Sequence, residues 1–185
     1  MINIKELVDG ANKNKEWLRY HPRVFSHPGD IVDLGCLVWD WSQPFIGKKR
    51  VIGVDPQENH VPQGFELFKG MVGNFTGTAK VLLGKQCSAY DLKGESLVEV
   101  ITYDDFILKY KINSLSLLKM NIEGAEYDLI IRWKTPPADQ LIISFHHHNG
   151  KFNNKATQYM IDLLSEWYDY TCICEQYAWY LFLRK

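Results

Sequence analysis

The stretch Leu117-Leu118-Lys119-Met120-Asn121-Ile122-Glu123-Gly124-Ala125-Glu126 decides the fold. An apolar run stops abruptly at an amide, two acids and a glycine. It then resumes as Tyr127-Asp128-Leu129-Ile130-Ile131 with helical spacing. This pattern predicts a buried strand that delivers polar groups at its carboxyl end, a tight turn, and a helix over residues 125–133, which Pro136 and Pro137 stop. In open α/β sheets, ligands sit beyond the carboxyl ends of the strands.

Working outward, three more segments share the design. Asp30-Ile31-Val32-Asp33-Leu34-Gly35 and Arg50-Val51-Ile52-Gly53-Val54-Asp55 read as short buried strands. Leu141 through His146 reads as another, running into His147 and His148. Each ends in a polar group, and in a parallel sheet those ends lie along one edge. One such end would be an ordinary loop entry, whereas four in succession mark a site.

The remainder fits around these strands. Residues 65–71 form a weaker strand. Lys80-Val81-Leu82-Leu83 and Cys87-Ser88-Ala89-Tyr90 flank Gly84-Lys85 as a hairpin. Residues 98–102 are extended, and Thr102 or Asp104 caps a short helix through Leu108. Residues 156–167 form an amphipathic helix whose apolar face carries Tyr159, Met160, Leu163, Leu164 and Trp167. Residues 171–174 and 177–183 form a closing antiparallel pair. Ile4, Leu7, Val8, Trp17 and Leu18 give residues 1–29 the look of a helical preface. Strands alternating with helices, then a hairpin, predict an α/β domain with a mostly parallel sheet, helices on both faces and an antiparallel edge. Residues 1–185 read as one domain, with core motifs at 30–148 and a helix and hairpin at 149–185.

Composition narrows the function. Hydrophobic residues at 46% and charged residues at 23% are ordinary for a globular chain, and a net charge of −1 argues against a nucleic-acid-gripping surface. No apolar run approaches the ~18 residues of a membrane span, and no signal-like segment opens the chain, so a cytoplasmic setting is expected. The cysteines at 36, 87, 172 and 174 lack zinc-type spacing.

Asp55 lies about 20 residues past Asp33, the spacing at which an acid at the second strand end binds a ribose diol. The first turn, Asp33-Leu34-Gly35-Cys36-Leu37-Val38-Trp39, has one glycine, and Val38 and Trp39 crowd the place where a pyrophosphate would approach. An adenosine ligand without phosphates fits this turn better than a dinucleotide.

Lys119-Met120-Asn121-Ile122-Glu123-Gly124-Ala125-Glu126-Tyr127 resembles the signature of the FkbM-type S-adenosylmethionine-dependent methyltransferases. Asp33-Leu34-Gly35 with Asp40-Trp41-Ser42 looks like the family's first motif. Val51 to Pro56 looks like the second, Glu99 to Phe106 like the stretch before the signature, and Ile143-Ser144-Phe145-His146 like its strand ending in histidine. The resemblance implies a Rossmann-like class I methyltransferase fold, a seven-stranded sheet whose final hairpin inserts the last strand beside the fifth. It implies methyl transfer from S-adenosylmethionine, usually to a hydroxyl of a sugar or secondary metabolite. By position, Asp33, Gly35, Asp55 and Trp39 are the expected cofactor contacts. Asn121, Glu123 and Glu126 would face the reacting centre, with His146 as the expected base. Glu126 and Glu123 have a structural alternative, since carboxylates near a helix start satisfy free backbone N–H groups.

Two departures stand out. Trp39 occupies the position of the family's second glycine and Leu37 that of an asparagine, and Pro44 forbids a normal long helix after the first strand. The rival expectation is therefore a non-catalytic relative whose pocket Trp39 and Pro44 have closed, leaving a binding module. No metal is expected. His146, His148 and Glu123 are compatible with ligation, but Asn121 replaces the aspartate many relatives carry. Base methylation of nucleic acid lacks its usual Asn/Asp-Pro-Pro-aromatic loop. The expected partner is a small-molecule or carbohydrate acceptor, with no nucleic acid or membrane. Its site is either open or completed by a second copy in a homo-oligomer.

Overall fold

A computed structural model describes residues 2, 7–8, 19–84, 94–147 and 152–185. Its centre is a seven-stranded sheet built from β1 (Asp30–Leu34), β2 (Val51–Val54), β3 (Phe65–Phe68), β7 (Leu115–Met120), β8 (Gln140–Ser144), β9 (Tyr168–Cys174) and β10 (Trp179–Arg184). The order is β3-β2-β1-β7-β8-β10-β9, with β10 antiparallel to both neighbours and the other pairs parallel. The inner strands are near-continuous apolar runs because both faces are covered. Order reverses between β1 and β7, which opens a crevice above Gly35 and Asn121.

A small second sheet stands beside it, in the order β4 (Met71–Gly73), β6 (Ser96–Thr102), β5 (Gly77–Val81). Two expectations change here. The single strand over 65–71 is broken at Lys69–Gly70 into β3 and β4, which join different sheets; at Gly70 a Cβ would lie 2.6 Å from the Glu99 carbonyl oxygen. The hairpin strand runs over Gly77–Val81 and pairs with β6, so Leu82 and Leu83 fall outside it. Cys87 to Tyr90 lie outside the described residues.

The faces of the main sheet differ. Helices α1 (Tyr103–Lys109), α2 (Glu126–Ile130) and α3 (Asn154–Ser165) all bury their apolar sides in one core, through Phe106, Leu129, Ile130, Met160, Ile161 and Leu164. Thr102 caps α1 by accepting from the Asp105 N–H, and Asn153 caps α3 in the same way through Ala156. On α3 the buried stripe is Thr157, Met160, Ile161 and Leu164, whereas Tyr159 points outward. The expected helix over 125–133 is only five residues long and then loosens into turns.

The opposite face carries no α-helix among the described residues, and most of the expected helical preface lies outside them. Pro44 sits within the first two positions of a 3₁₀ turn, Gln43–Phe45, and no longer helix develops. An aromatic slab covers the strands instead. Tyr20, Phe25 and Trp41 surround Phe45 at centroid distances of 5.0, 5.7 and 5.4 Å. Of the expected helical preface, Ile4, Trp17 and Leu18 lie outside the described residues, and Val8 forms an antiparallel bridge with Tyr20. Among the described residues no helix is long and apolar enough to cross a membrane.

Candidate active site

The carboxyl ends of β2, β1 and β7 are tied together before any side chain acts. The Gly35 N–H donates to the Val54 carbonyl at 2.8 Å, and the Asn121 N–H donates to the Leu34 carbonyl at 3.0 Å. Gly35 has φ +79°, and a Cβ there would lie 2.1 Å from the Asn121 carbonyl oxygen. Only glycine permits that approach.

Above this floor lies an open cleft of about 630 Å³, solvent at its mouth included. Leu37, Val54, Met71 and Val72 line it with apolar surface, and Asp55, Gln57, Asn121 and Glu123 supply polar groups. No lysine or arginine lines it among the described residues. A second hollow adjoins it across Gly35 and Asn121, bordered by Asp33, Lys119, Trp39 and Trp41.

Asp55 is buried at the end of β2, with one carboxylate oxygen accepting from the N–H groups of Gln57 and Glu58 at 2.8 and 3.2 Å. Burial raises its carboxyl pKa above the ordinary range, against the pull of those amides. Glu58 anchors the following loop by accepting from Val38, Asn59 and His60 N–H groups at 2.7–2.8 Å. Burial opposes its charge, but those amides outweigh it and hold the carboxyl below its usual pKa.

Asp33 and Lys119 are register partners on β1 and β7, so their side chains leave the same face. They form a buried ion pair at 2.8 Å; the Ser42 hydroxyl donates to Asp33, and the Lys119 ammonium also donates to the Gly35 carbonyl. A buried charge held by a partner and further hydrogen bonds is tolerable where a lone one is not.

The turn after β7 holds a second charged cluster. Glu126 is fully buried and accepts from the N–H groups of Ile122 and Gly124, both at 2.8 Å. Its carboxylate also meets His146 Nδ1 at 2.8 Å, while His146 Nε2 lies 3.4 Å from Glu123. Burial alone would lower the His146 pKa, but hydrogen bonds and charge from Glu123 and Glu126 overcome it and push the value up to about 10. A shift in that direction favours the imidazolium at neutral pH.

The family model of the methyltransferase FkbM domain matches residues 54–172. The chain belongs to the FkbM methyltransferase family. No curated protein and no solved structure matches it. The matched range holds Asp55, Asn121, Glu123 and His146, whereas Asp33, Gly35 and Trp39 precede it.

In this FkbM chain the structure gathers Gly35, Asp55, Asn121 and Glu123 around one cleft. Asp33 lies in the adjoining hollow, neutralised by Lys119. His146 is not among the residues lining the cleft; its ring nitrogens face Glu126 and Glu123, and its raised pKa favours the protonated ring over the expected base. His148 lies outside the described residues. Trp39 borders the hollow, but its indole is only 2% exposed, packs on Phe65 with centroids 5.3 Å apart, and donates from Nε1 to the His60 carbonyl at 2.7 Å. A Cβ on Gly53 would lie 2.3 Å from the indole, so the ring fills the space beneath β2. Four residues that line or brace the cleft and its adjoining hollow escaped the sequence reading. Lys119 stood in the quoted signature, and its pairing with Asp33 follows once the two strands are neighbours in register. Glu58 and the Met71–Val72 wall carried no local signal.

Proposed function

We propose that this protein is an S-adenosylmethionine-dependent methyltransferase whose acceptor is a hydroxyl oxygen of a sugar or another small metabolite. The observation that carries the reading is the character of the cleft: in an FkbM chain, it is apolar along one wall, acidic along the other and lined by no cation among the described residues. A pyrophosphate would find no positive charge there, whereas an adenosine carrying a sulfonium finds apolar surface for its base and carboxylates for its charge.

Met71, Val72 and Leu37 would hold the adenine, and Asp55 at the β2 end would receive the ribose diol. Gly35 and Asn121 would flank the methionine portion where β1 and β7 part. S-adenosylmethionine supplies an electrophilic methyl group on a positively charged sulfur. The chain aligns the acceptor oxygen with that methyl, excludes water and takes up the acceptor's proton; alignment is the larger contribution. The rival reading placed Trp39 across the pocket. Its indole packs beneath β2 instead, which favours an open cleft.

The test is thermal unfolding and calorimetric titration with S-adenosylhomocysteine. At ligand about 100-fold above Kd, linkage adds about 2.7 kcal/mol, a midpoint rise of roughly 5–11 °C for a chain of this size. No shift and no heat at millimolar ligand would overturn the proposal.

A further inference from the structure

We infer that Glu123 takes up the acceptor's hydroxyl proton, and that His146 and Glu126 are positioning residues that aim its carboxylate at the point of methyl transfer. The inference rests on the cofactor reading above and adds the group that meets the acceptor.

Glu123 lines the cleft, with its side chain 23% exposed, and its backbone has φ +55°, a conformation that side-chain-bearing residues rarely adopt. The reason it stays there is visible on both sides. Glu126 grips the N–H groups of Ile122 and Gly124, the residues flanking Glu123. It also fixes one nitrogen of His146, whose other nitrogen faces the Glu123 carboxylate. Backbone strain held by buried partners at a cleft wall is a mark of pre-organisation. Both ring nitrogens face carboxylates. The neighbouring His147 is turned to Thr157, which also meets the Tyr127 hydroxyl. The ring therefore presents charge and direction to Glu123.

The step balances without a further reactant. A lone pair of the acceptor oxygen forms the new O–C bond as the bond between methyl carbon and sulfur breaks and leaves its pair on sulfur. The hydroxyl proton passes to Glu123, which becomes neutral and then releases it to solvent. A weak carboxylate suffices, because the O–H of an oxygen being alkylated grows strongly acidic. The same carboxylate selects the acceptor class: a neutral hydroxyl donates to it, whereas a carboxylate or phosphate acceptor would meet like charge.

Sinefungin carries an ammonium group where the transferred methyl would be, so its affinity relative to S-adenosylhomocysteine reports what faces that point. On the full chain, calorimetry should show sinefungin bound roughly tenfold or more tightly, the scale of one charge-assisted hydrogen bond. Glu123→Gln should bring the ratio near one while leaving S-adenosylhomocysteine affinity unchanged. His146→Gln should lower the ratio partway; a merely structural role would weaken both ligands alike. If His146→Gln does not fold, Glu123→Gln carries the test alone. An unchanged ratio in Glu123→Gln, or no preference in the unmodified chain, overturns the inference while the cofactor reading stands. Binding of neither ligand overturns both.

Discussion

Replacing Trp39 with glycine separates a packing role from a pocket-blocking one. The structure supplies the terms. The indole is buried against Phe65 and beneath Gly53, and truncating such a ring costs about 3–5 kcal/mol. Against this, Trp39 sits at φ +55°, where a non-glycine residue bears about 1–2 kcal/mol of strain that glycine relieves. Glycine in turn loosens the unfolded chain, which costs about 0.5–1 kcal/mol. The net expectation is a loss of about 2–4 kcal/mol, a large share of the total for a domain whose stability is typically about 5–15 kcal/mol. Urea unfolding followed by far-ultraviolet circular dichroism measures the loss. Calorimetric titration with S-adenosylhomocysteine should find affinity no better than in the unmodified chain. A variant within about 0.5 kcal/mol of the parent, or one that binds the ligand several-fold tighter, would place the indole in the cleft and refute the packing argument.

Three further perturbations probe the same framework. Lys119→Met strands the buried Asp33 carboxylate and should cost about 3–5 kcal/mol in urea unfolding, with part recovered in the Asp33→Asn, Lys119→Met double variant; full additivity would deny the pair. Gly35→Ala forces a Cβ to within 2.1 Å of the Asn121 carbonyl, so β1 and β7 must part and S-adenosylhomocysteine binding should fall; unchanged affinity would show that the strand ends give way harmlessly. The His146 pKa is raised by folding from an ordinary value near 6.5 to about 10. The stability it contributes is therefore complete below about pH 6.5 and lost as pH rises towards 10. The gap in unfolding free energy between the unmodified chain and His146→Gln should be wide at pH 6 and narrow by pH 10, and a gap that widens with pH would contradict the paired imidazolium.

The strands that carry the site were legible because each is an apolar run cut off by a polar group, and that signal survives without any partner in view. Asp55, Asn121 and Glu123 followed from it directly. What the sequence concealed was the protonation state of His146. A histidine at a strand end reads as a base near neutral pH, and only the fold brings Glu126 and Glu123 to its two nitrogens. The same holds for Glu58, whose three N–H partners are set by loop geometry. The split between β3 and β4 was hidden for another reason: the residues on either side of Lys69–Gly70 are equally strand-like, and the change of sheet is a tertiary event.

The departures at positions 39 and 44 belong together. Pro44 removes the helix that would cover one face of the sheet, and the strands beneath still need apolar cover. Trp39, Trp41, Phe45 and Tyr20 provide it. Trp39 does so from a left-handed backbone, the conformation a glycine would adopt at the same place without strain, so the loop keeps its course while its side chain turns to the core. Gly53 makes the room beneath β2, and Glu58 together with the Trp39–His60 hydrogen bond pins the loop to the far side of the cleft. The short 3₁₀ turn, the aromatic slab and the loop path thus form one arrangement. It acts on the face of the sheet opposite the helices, and for that reason it leaves the opening between Asp55, Asn121 and Glu123 intact.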